Sequence, residues 1–177
     1  MNKGVTVWFT GLSGAGKTTI SRAIEQKLKE YNVRVEVLDG DLVRESLTSD
    51  LGFSKEDRQR NIERVSFVSK LLARNDVLVL ASFITPYQYM RDYARKEIGT
   101  FIEVYVKCSL EECIRRDAKG LYKKALAGEI DGFTGISDIF EVPPSPDLIL
   151  DTEQEKIEEC AQKVLNFLHQ HGYITFF

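Results

Sequence analysis

The chain has 177 residues, of which 43% are hydrophobic and 29% are charged, a composition typical of one soluble α/β domain that buries a core. Its formal net charge of -3 argues against a general nucleic-acid-binding protein, and no apolar run approaches the length of a membrane span. The three cysteines lack a C-x-x-C spacing and indicate neither a disulfide framework nor a zinc site. We therefore expect a cytoplasmic protein that binds neither nucleic acid nor membranes.

A glycine-rich loop follows the first apolar run. Residues 11–18 read Gly-Leu-Ser-Gly-Ala-Gly-Lys-Thr, between a predicted strand that begins at Val5 and a predicted helix from Lys17 to about Tyr31. In this spacing the backbone N–H groups converge on an anion, and the helix N-terminus adds partial positive charge. We expect Lys17 to reach the β- and γ-phosphates of ATP, and the Thr18 hydroxyl to ligate Mg²⁺. The predicted nucleotide-binding residues are Gly11, Leu12, Ser13, Gly14, Ala15, Gly16, Lys17, Thr18 and Thr19.

Two carboxylates follow the second predicted strand, residues 34–38. The sequence there is Asp39-Gly40-Asp41, at the end of a strand where open parallel sheets bind ligands. Both are candidate catalytic residues, Asp41 as the group that orients or deprotonates an acceptor hydroxyl and Asp39 as a Mg²⁺ ligand. The alternative is a turn that the two carboxylates stabilise through hydrogen bonds to the backbone.

The next stretch predicts a short helix over 42–47 and then a longer one. Ser54 and Asp57 form the S-x-x-D pattern that opens a helix. Arg58 and Asn61 lie three residues apart near its start, and are expected on one helix face. Together they predict a second anion site.

The second half of the chain continues the alternation of strands and helices. The apolar run 77–80 predicts a buried strand, and Pro86 is expected in the first turn of a helix that continues through Ile98. A strand over 101–106 and a helix from Ser109 to Asp117, capped by Ser109, come next.

Residues 115–136, called here the basic segment, interrupt that alternation. Five Lys or Arg occur from Arg115 to Lys124, and glycines follow at positions 128, 132 and 135. Cations between flexible glycines favour a lid that closes over phosphates, although a solvated surface loop has the same composition.

The last part of the chain completes the predicted fold. After a strand over 148–150, Thr152 and Glu155 predict a capping box for a terminal helix, 157–169. Alternating strands and helices predict an α/β, three-layer P-loop NTPase fold with a mostly parallel central sheet wrapped by helices. We expect residues 1–177 to form a single P-loop kinase domain.

The sequence lacks two features of nucleotide hydrolases. No acidic residue directly follows the run 77–80, as is usual in hydrolytic P-loop ATPases, and no Asn-Lys-x-Asp sequence for guanine recognition is present. The carboxylates available to the phosphates are Asp39 and Asp41, and this arrangement favours a small-molecule kinase.

From Val5 to about Leu150 the chain resembles the adenylylsulfate kinase (APS kinase) family. The phosphate loop alone is common, whereas the blocks that follow it occur in this order in that family. These blocks are Asp39-Gly40-Asp41 with Arg44, Leu51-Gly52-Phe53-Ser54, Asp57-Arg58 with Asn61, Ser82-Phe83-Ile84, Phe101-Ile102-Glu103-Val104, Lys119-Gly120-Leu121-Tyr122-Lys123-Lys124-Ala125 and Gly132-Phe133-Thr134-Gly135-Ile136.

The resemblance implies transfer of the γ-phosphoryl group of MgATP to the ribose 3′-hydroxyl of adenosine 5′-phosphosulfate. It also implies a homodimer and functional coupling to a separate ATP sulfurylase. Catalysis would involve Lys17, Asp39, Asp41 and Thr85. The implied acceptor-binding residues are Asp41, Arg44, Phe53, Arg58, Asn61, Ile84, Thr85, Lys119, Gly120, Leu121, Gly132 and Phe133, with the two phenylalanines as stacking faces for adenine.

Three positions depart from the family pattern. Thr85 replaces a Ser whose hydroxyl is described as able to carry phosphate, and the added methyl group puts a phosphoenzyme role in doubt. Gln88 replaces an Arg and removes a cation. Ala118 replaces a Pro and should loosen the hinge of the basic segment.

Two other functions stay open. One is a P-loop kinase of another small acceptor, such as a nucleoside monophosphate, shikimate or gluconate, which would share the loop and the basic segment but not the Phe53 and Phe133 blocks. The other is a nucleotide-binding regulator without catalysis, although Lys17, Thr18 and both aspartates are intact.

Overall fold

The structure, a computed structural model, describes residues 3–175, and within them the strands form one five-stranded sheet. The strands are β1 (Val5–Thr10), β2 (Val35–Asp39), β3 (Leu78–Ser82), β4 (Phe101–Lys107) and β5 (Leu148–Asp151). Their order across the sheet is β2-β3-β1-β4-β5, and every neighbouring pair is parallel. The predicted parallel α/β sheet is confirmed.

The helices cover both faces of this sheet. They are α1 (Lys17–Glu30), α2 (Gly40–Glu45), α3 (Lys55–Ala73), α4 (Gln88–Ile98), α5 (Leu110–Arg116), α6 (Leu121–Leu126) and α7 (Ile157–Gln170). In β1 the side chains of Val7 and Phe9 pack with α1 and α7, whereas Trp8 packs with α3 and α4 on the other face. This alternation produces the three layers that the sequence predicts.

Several helix boundaries differ from the predicted ones. Helix α2 begins at Gly40, because the Asp39 side chain caps it. Pro86 is not in the first turn of α4, which begins after its N-cap Tyr87. Ser54 and Ser109 cap α3 and α5 as predicted, each accepting the N–H group three residues later.

The capping box assigned to Thr152 and Glu155 is wrong. Helix α7 begins after Lys156, whose N–H donates to the Glu159 carboxylate at 2.7 Å. The Thr152 hydroxyl instead donates to the Ala15 carbonyl at 2.9 Å and therefore supports the glycine loop.

Two expectations from composition concern cysteines and membranes. All three cysteines are free and buried, consistent with structural thiols. Within residues 3–175, no helix combines the length and the apolar character needed to cross a bilayer.

Candidate active site

The glycine loop between β1 and α1 is held close to the sheet. A Cβ atom on Gly11 would lie 2.5 Å from the Val106 carbonyl oxygen, and Gly16 has a φ of 105° immediately before α1. Both positions therefore require glycine. The first N–H groups of α1 have no partners within the helix, so the loop offers donors and a helix dipole to an anion.

Lys17 is folded against the loop that precedes it. Its ammonium group donates to the carbonyl oxygens of Gly11 and Leu12, at 2.8 and 2.7 Å, and the residue is only 8% exposed. This burial lowers the pKa of Lys17 to about 8. A bound anion beside the ammonium group would favour its protonated form.

Thr18 and Asp39 place two oxygen donors side by side. The Thr18 hydroxyl donates to Asp39 Oδ2 at 2.6 Å, and Asp39 Oδ1 accepts the Asp41 N–H at 3.0 Å. Asp39 therefore makes the carboxylate-to-backbone hydrogen bond that was expected if residues 39–41 were only a stabilised turn. It also contacts Thr18 of the glycine loop. No group of three or more His, Cys, Asp or Glu suited to a metal occurs in the described part of the chain. A Mg²⁺ ion here would depend on phosphate and water oxygens, as Mg²⁺ commonly does.

Asp41 points away from the sheet and meets the basic segment. Its carboxylate pairs with the ammonium group of Lys119, and the two side chains are 67% and 55% exposed. The Tyr122 hydroxyl, also from the basic segment, donates to the Ser13 carbonyl at 2.9 Å. Residues from the basic segment therefore contact both the nucleotide loop and the tip of β2.

Asp117 organises the turn that leads into α6. Its carboxylate accepts the N–H groups of Tyr122 and Lys123, each at 3.0 Å. Gly120 precedes the helix with a φ of 66°, and Leu121 is its first residue. Asp117 thus supplies the side-chain cap that Gly120 lacks. Asp117 was not among the predicted functional residues, although an Asp shortly before a helix is the usual signal for a helix cap.

Arg44 and Phe53 form a stacked pair on the acceptor side. The guanidinium carbon of Arg44 lies 4.2 Å from the centre of the Phe53 ring, and Arg44 Nη1 donates to the Gly52 carbonyl at 2.9 Å. Phe53 is 66% exposed. One ring face is covered by the cation, and the exposed remainder suits a flat ligand.

Phe133 is held differently. Its ring makes an edge contact with Tyr122, with 5.0 Å between ring centres and an interplanar angle of 77°. It is only partly buried against the core. Phe133 and the preceding Gly132 thus belong to a packed part of the basic segment.

Arg58 and Asn61 do not form one open anion site as predicted. Arg58 Nε donates to the Phe53 carbonyl at 2.9 Å, while its Nη atoms donate to Thr134 and to the Gly132 carbonyl. Asn61 is buried, and its side-chain oxygen accepts the Thr48 hydroxyl at 2.8 Å. Arg58 Nη1 also lies 3.7 Å from Asp138 Oδ2, so among residues 3–175 one Nη2 N–H group of Arg58 and the Asn61 amide nitrogen remain for a ligand.

The segment after β3 contacts the loop through its backbone. The Ile84 carbonyl accepts the Thr10 hydroxyl at 2.6 Å and the Gly11 N–H at 3.4 Å. Thr85 has a φ of 46°, which is strained for a β-branched residue. Its hydroxyl, 2% exposed, accepts the Trp8 indole N–H at 2.9 Å.

The catalytic role expected for Thr85 is therefore not supported by its geometry. The hydroxyl is buried and bonded to the Trp8 indole, which is the arrangement of a packing residue. The nearby Gln88 side chain accepts from Arg91 and donates to Asp92, so it is occupied at the start of α4.

Comparison with known proteins gives consistent matches. The family model described as adenylylsulphate kinase matches residues 3–151. The adenylyl-sulfate kinase of Halothermothrix orenii is 62% identical over 173 residues, which cover 98% of this chain and 94% of the relative. The APS kinase of Mycobacterium tuberculosis, solved in complex with AMPPNP and APS, aligns with a TM-score of 0.92 and 46% identity, over 96% of this chain and 99% of that chain.

A kinase named for another acceptor shares only the fold with this chain. A gluconokinase from Sinorhizobium meliloti aligns with a TM-score of 0.61 at 15% identity, over 97% of this chain and 95% of that chain. That similarity supports the P-loop kinase architecture and carries nothing about the acceptor.

Proposed function

The chain belongs to the adenylylsulfate kinase family, and from this premise we infer that it is an ATP-dependent kinase of adenosine 5′-phosphosulfate. It transfers the γ-phosphoryl group of ATP to the 3′-hydroxyl, giving 3′-phosphoadenosine 5′-phosphosulfate and ADP. The observation that carries this function is the meeting of Lys119 with Asp41 beside the nucleotide loop. This contact supports Asp41 as the acceptor-side acid group, because the charge of Asp41 also acts on Lys17 of the nucleotide loop.

On the donor side, we propose that residues 11–19 bind the triphosphate through their backbone N–H groups. Lys17 neutralises charge on the transferring phosphoryl group, which needs its protonated form. Thr18 and Asp39 would hold Mg²⁺, since their oxygen atoms lie 2.6 Å apart and match its preference for oxygen ligands. When bound, the ion would neutralise phosphate charge.

On the acceptor side, we propose Asp41 as the general base. Its carboxylate takes the proton of the 3′-hydroxyl while that oxygen forms a bond to the γ-phosphorus. The bond between the γ-phosphorus and the bridging oxygen breaks, and ADP leaves with that oxygen. Direct in-line transfer requires no phosphoenzyme, in agreement with the buried Thr85 hydroxyl.

The acceptor itself is a flat base joined to an anionic phosphosulfate. We propose that Phe53 and Phe133, called here the aromatic clamp, enclose the adenine. Arg44, the remaining Nη2 N–H group of Arg58 and the Asn61 amide provide donors for the anionic part. Ile84, Lys119, Gly120, Leu121 and Gly132 complete the proposed acceptor site.

Domain organisation, assembly, location and functional coupling concern the protein as a whole. We propose that residues 1–177 act as one kinase domain in which the basic segment is a lid, because Lys119 and Tyr122 contact the site from it. We also propose a homodimer, a cytoplasmic location and functional coupling to a separate ATP sulfurylase, all on the basis of the family resemblance.

The test measures ADP release from MgATP with adenosine 5′-phosphosulfate, AMP, shikimate and gluconate in parallel. We expect turnover only with adenosine 5′-phosphosulfate. Asp41→Asn should lower kcat by roughly 10²- to 10⁴-fold because the general base is lost. Asp50→Asn, a surface aspartate paired with Arg64, is the matched control and should retain activity.

Each outcome of this assay has a separate meaning. Turnover with another acceptor would overturn the substrate assignment and leave the kinase site intact. No turnover with any of the four compounds would favour a nucleotide-binding regulator. Full activity of Asp41→Asn would contradict the assigned base.

A further inference from the structure

Three separate segments assigned to the acceptor meet at one group of side chains. The loop that carries Phe53, the end of the basic segment at Gly132, and the turn that follows Thr85 are far apart in sequence. Arg58, Asp138 and Tyr87, called here the Arg58 cluster, connect them. The predicted site did not include Asp138 or Tyr87.

Arg58 is the centre of this cluster. Its Nε donates to the Phe53 carbonyl at 2.9 Å, and its Nη2 donates to the Gly132 carbonyl. Its Nη1 donates to the Thr134 hydroxyl at 2.7 Å. One planar guanidinium therefore binds the backbone next to each ring of the aromatic clamp. Because the guanidinium is rigid, it fixes the distance between the segment that carries Phe53 and the segment that carries Phe133.

Asp138 lies beside the Arg58 guanidinium. Its Oδ2 lies 3.7 Å from Arg58 Nη1, and both side chains are largely buried. The Asp138 backbone also closes the turn that contains Phe133, because its N–H donates to the Phe133 carbonyl at 3.1 Å. Asp138 thus binds the cation and shapes the clamp segment.

Tyr87 fixes the position of Asp138. The hydroxyl of Tyr87, a residue 4% exposed, donates to Asp138 Oδ1 at 2.7 Å. Nearby, the Glu141 N–H donates to the Pro86 carbonyl at 2.8 Å, so the chain after Asp138 is bound to the start of α4. Tyr87 is two residues from Thr85, whose backbone is also fixed.

We propose that Tyr87 and Asp138 are positioning residues for the acceptor. They hold the Arg58 guanidinium in place, and through it they set the relative placement of Phe53 and Phe133 before adenine binds. The inference rests on the proposed function, since it concerns the same clamp. It goes further by assigning the clamp geometry to two residues that need not touch the acceptor.

The distinguishing variant is Tyr87→Phe, which removes one hydroxyl and keeps the ring. Loss of a hydrogen bond to a buried carboxylate should raise KM for adenosine 5′-phosphosulfate about tenfold. KM for ATP and kcat should stay within about twofold, because Lys17 and Asp41 are untouched. The matched control is Tyr89→Phe, since the Tyr89 ring stacks on Tyr87 and, among the described residues, its hydroxyl does not bond Asp138.

A double-mutant cycle with Asp138→Asn tests the assigned route. If Tyr87 acts through Asp138, the double variant should bind the acceptor about as weakly as Asp138→Asn alone. If the increases in KM of the two single variants multiply in the double variant, the route through Asp138 is contradicted. A general loosening of the fold would raise both KM values together, and that result, or an unchanged KM for the acceptor, would overturn the proposal.

Wild-type turnover separates this inference from the proposed function. If the unaltered protein does not use adenosine 5′-phosphosulfate, the proposed function fails first. If it does, and Tyr87→Phe matches Tyr89→Phe in both KM values, only the positioning role fails.

Discussion

The donor and acceptor sides of the site are built in contrasting ways. The donor side is built mainly from consecutive residues, 11–19, where glycines permit the tight backbone and Lys17 is 8% exposed, with Asp39 added from the end of β2. The acceptor side consists of side chains from separate segments, including Phe53 at 66% exposed. The donor side is therefore encoded largely by local sequence, whereas the acceptor side depends on long-range contacts.

The two sides should also differ in how strongly single substitutions act. Buried, desolvated interactions lose much free energy when one partner is removed, whereas exposed ion pairs contribute little. We therefore expect effects to decrease from Lys17 to the exposed Lys119.

The largest effect should come from Lys17→Ala. Without the ammonium group, charge on the transferring phosphoryl group is left unneutralised, and we expect kcat to fall roughly 10³-fold. Steady-state ADP release measures it. Lys29→Ala, on the exposed side of the same helix, should behave like wild type. If kcat of Lys17→Ala falls less than tenfold, the expected difference between the two sides is contradicted, because the donor side would then tolerate substitution as well as the acceptor side does.

An intermediate effect should follow from pH. The pKa of Lys17 is lowered to about 8 by burial, so its proton is lost above that pH in the free enzyme. We expect kcat/KM for ATP to fall about tenfold for each further pH unit. The measurement is a pH profile from 6 to 10 at constant ionic strength.

Folding stability should respond to pH in the opposite direction from activity. The unfolded chain, in which Lys17 has its ordinary pKa of 10.5, binds the proton more tightly than the folded chain does. The contribution of Lys17 to folding stability therefore rises with pH between about 8 and 10.5 while activity falls. A profile in which activity and stability fall together would assign the loss of activity to unfolding.

The smallest effect should come from Lys119→Ala. Its ion pair with Asp41 joins side chains that are 55% and 67% exposed, and such pairs contribute at most about 1 kcal/mol. We expect KM for adenosine 5′-phosphosulfate to rise about threefold at low salt and less at high salt. Lys124→Ala, also exposed in the basic segment, is the control. A hundredfold loss would give Lys119 a direct part in catalysis.

The sequence predicts the donor side well because its determinants are local. A glycine loop between a strand and a helix fixes where Lys17 and Thr18 lie, whatever the rest of the chain does. The parallel sheet follows from the alternation of strands and helices in the same way. The part-buried Thr18–Asp39 contact is already long-range, yet both residues stand at element ends that parallel sheets bring together.

The acceptor side is harder to predict from sequence. Tyr87 and Asp138 are separated by 51 positions, and no periodicity indicates that they meet. Arg58 satisfies the spacing of an anion site, but most of its donors are used by Gly132 and Thr134, 74 or more residues away, and by nearby Phe53. The direction of the Thr85 hydroxyl depends on a left-handed backbone that its residue type disfavours.

The contact between Trp8 and Thr85 also gives the molecule a spectroscopic label. The chain contains a single tryptophan, and its indole is fully buried in β1. Its hydrogen bond ends on the segment that leads from β3 to the acceptor site. Tryptophan emission from this protein therefore originates at one known position, and a change in its wavelength or lifetime reports on the packing around Trp8, which includes Phe83, Phe101 and Thr85.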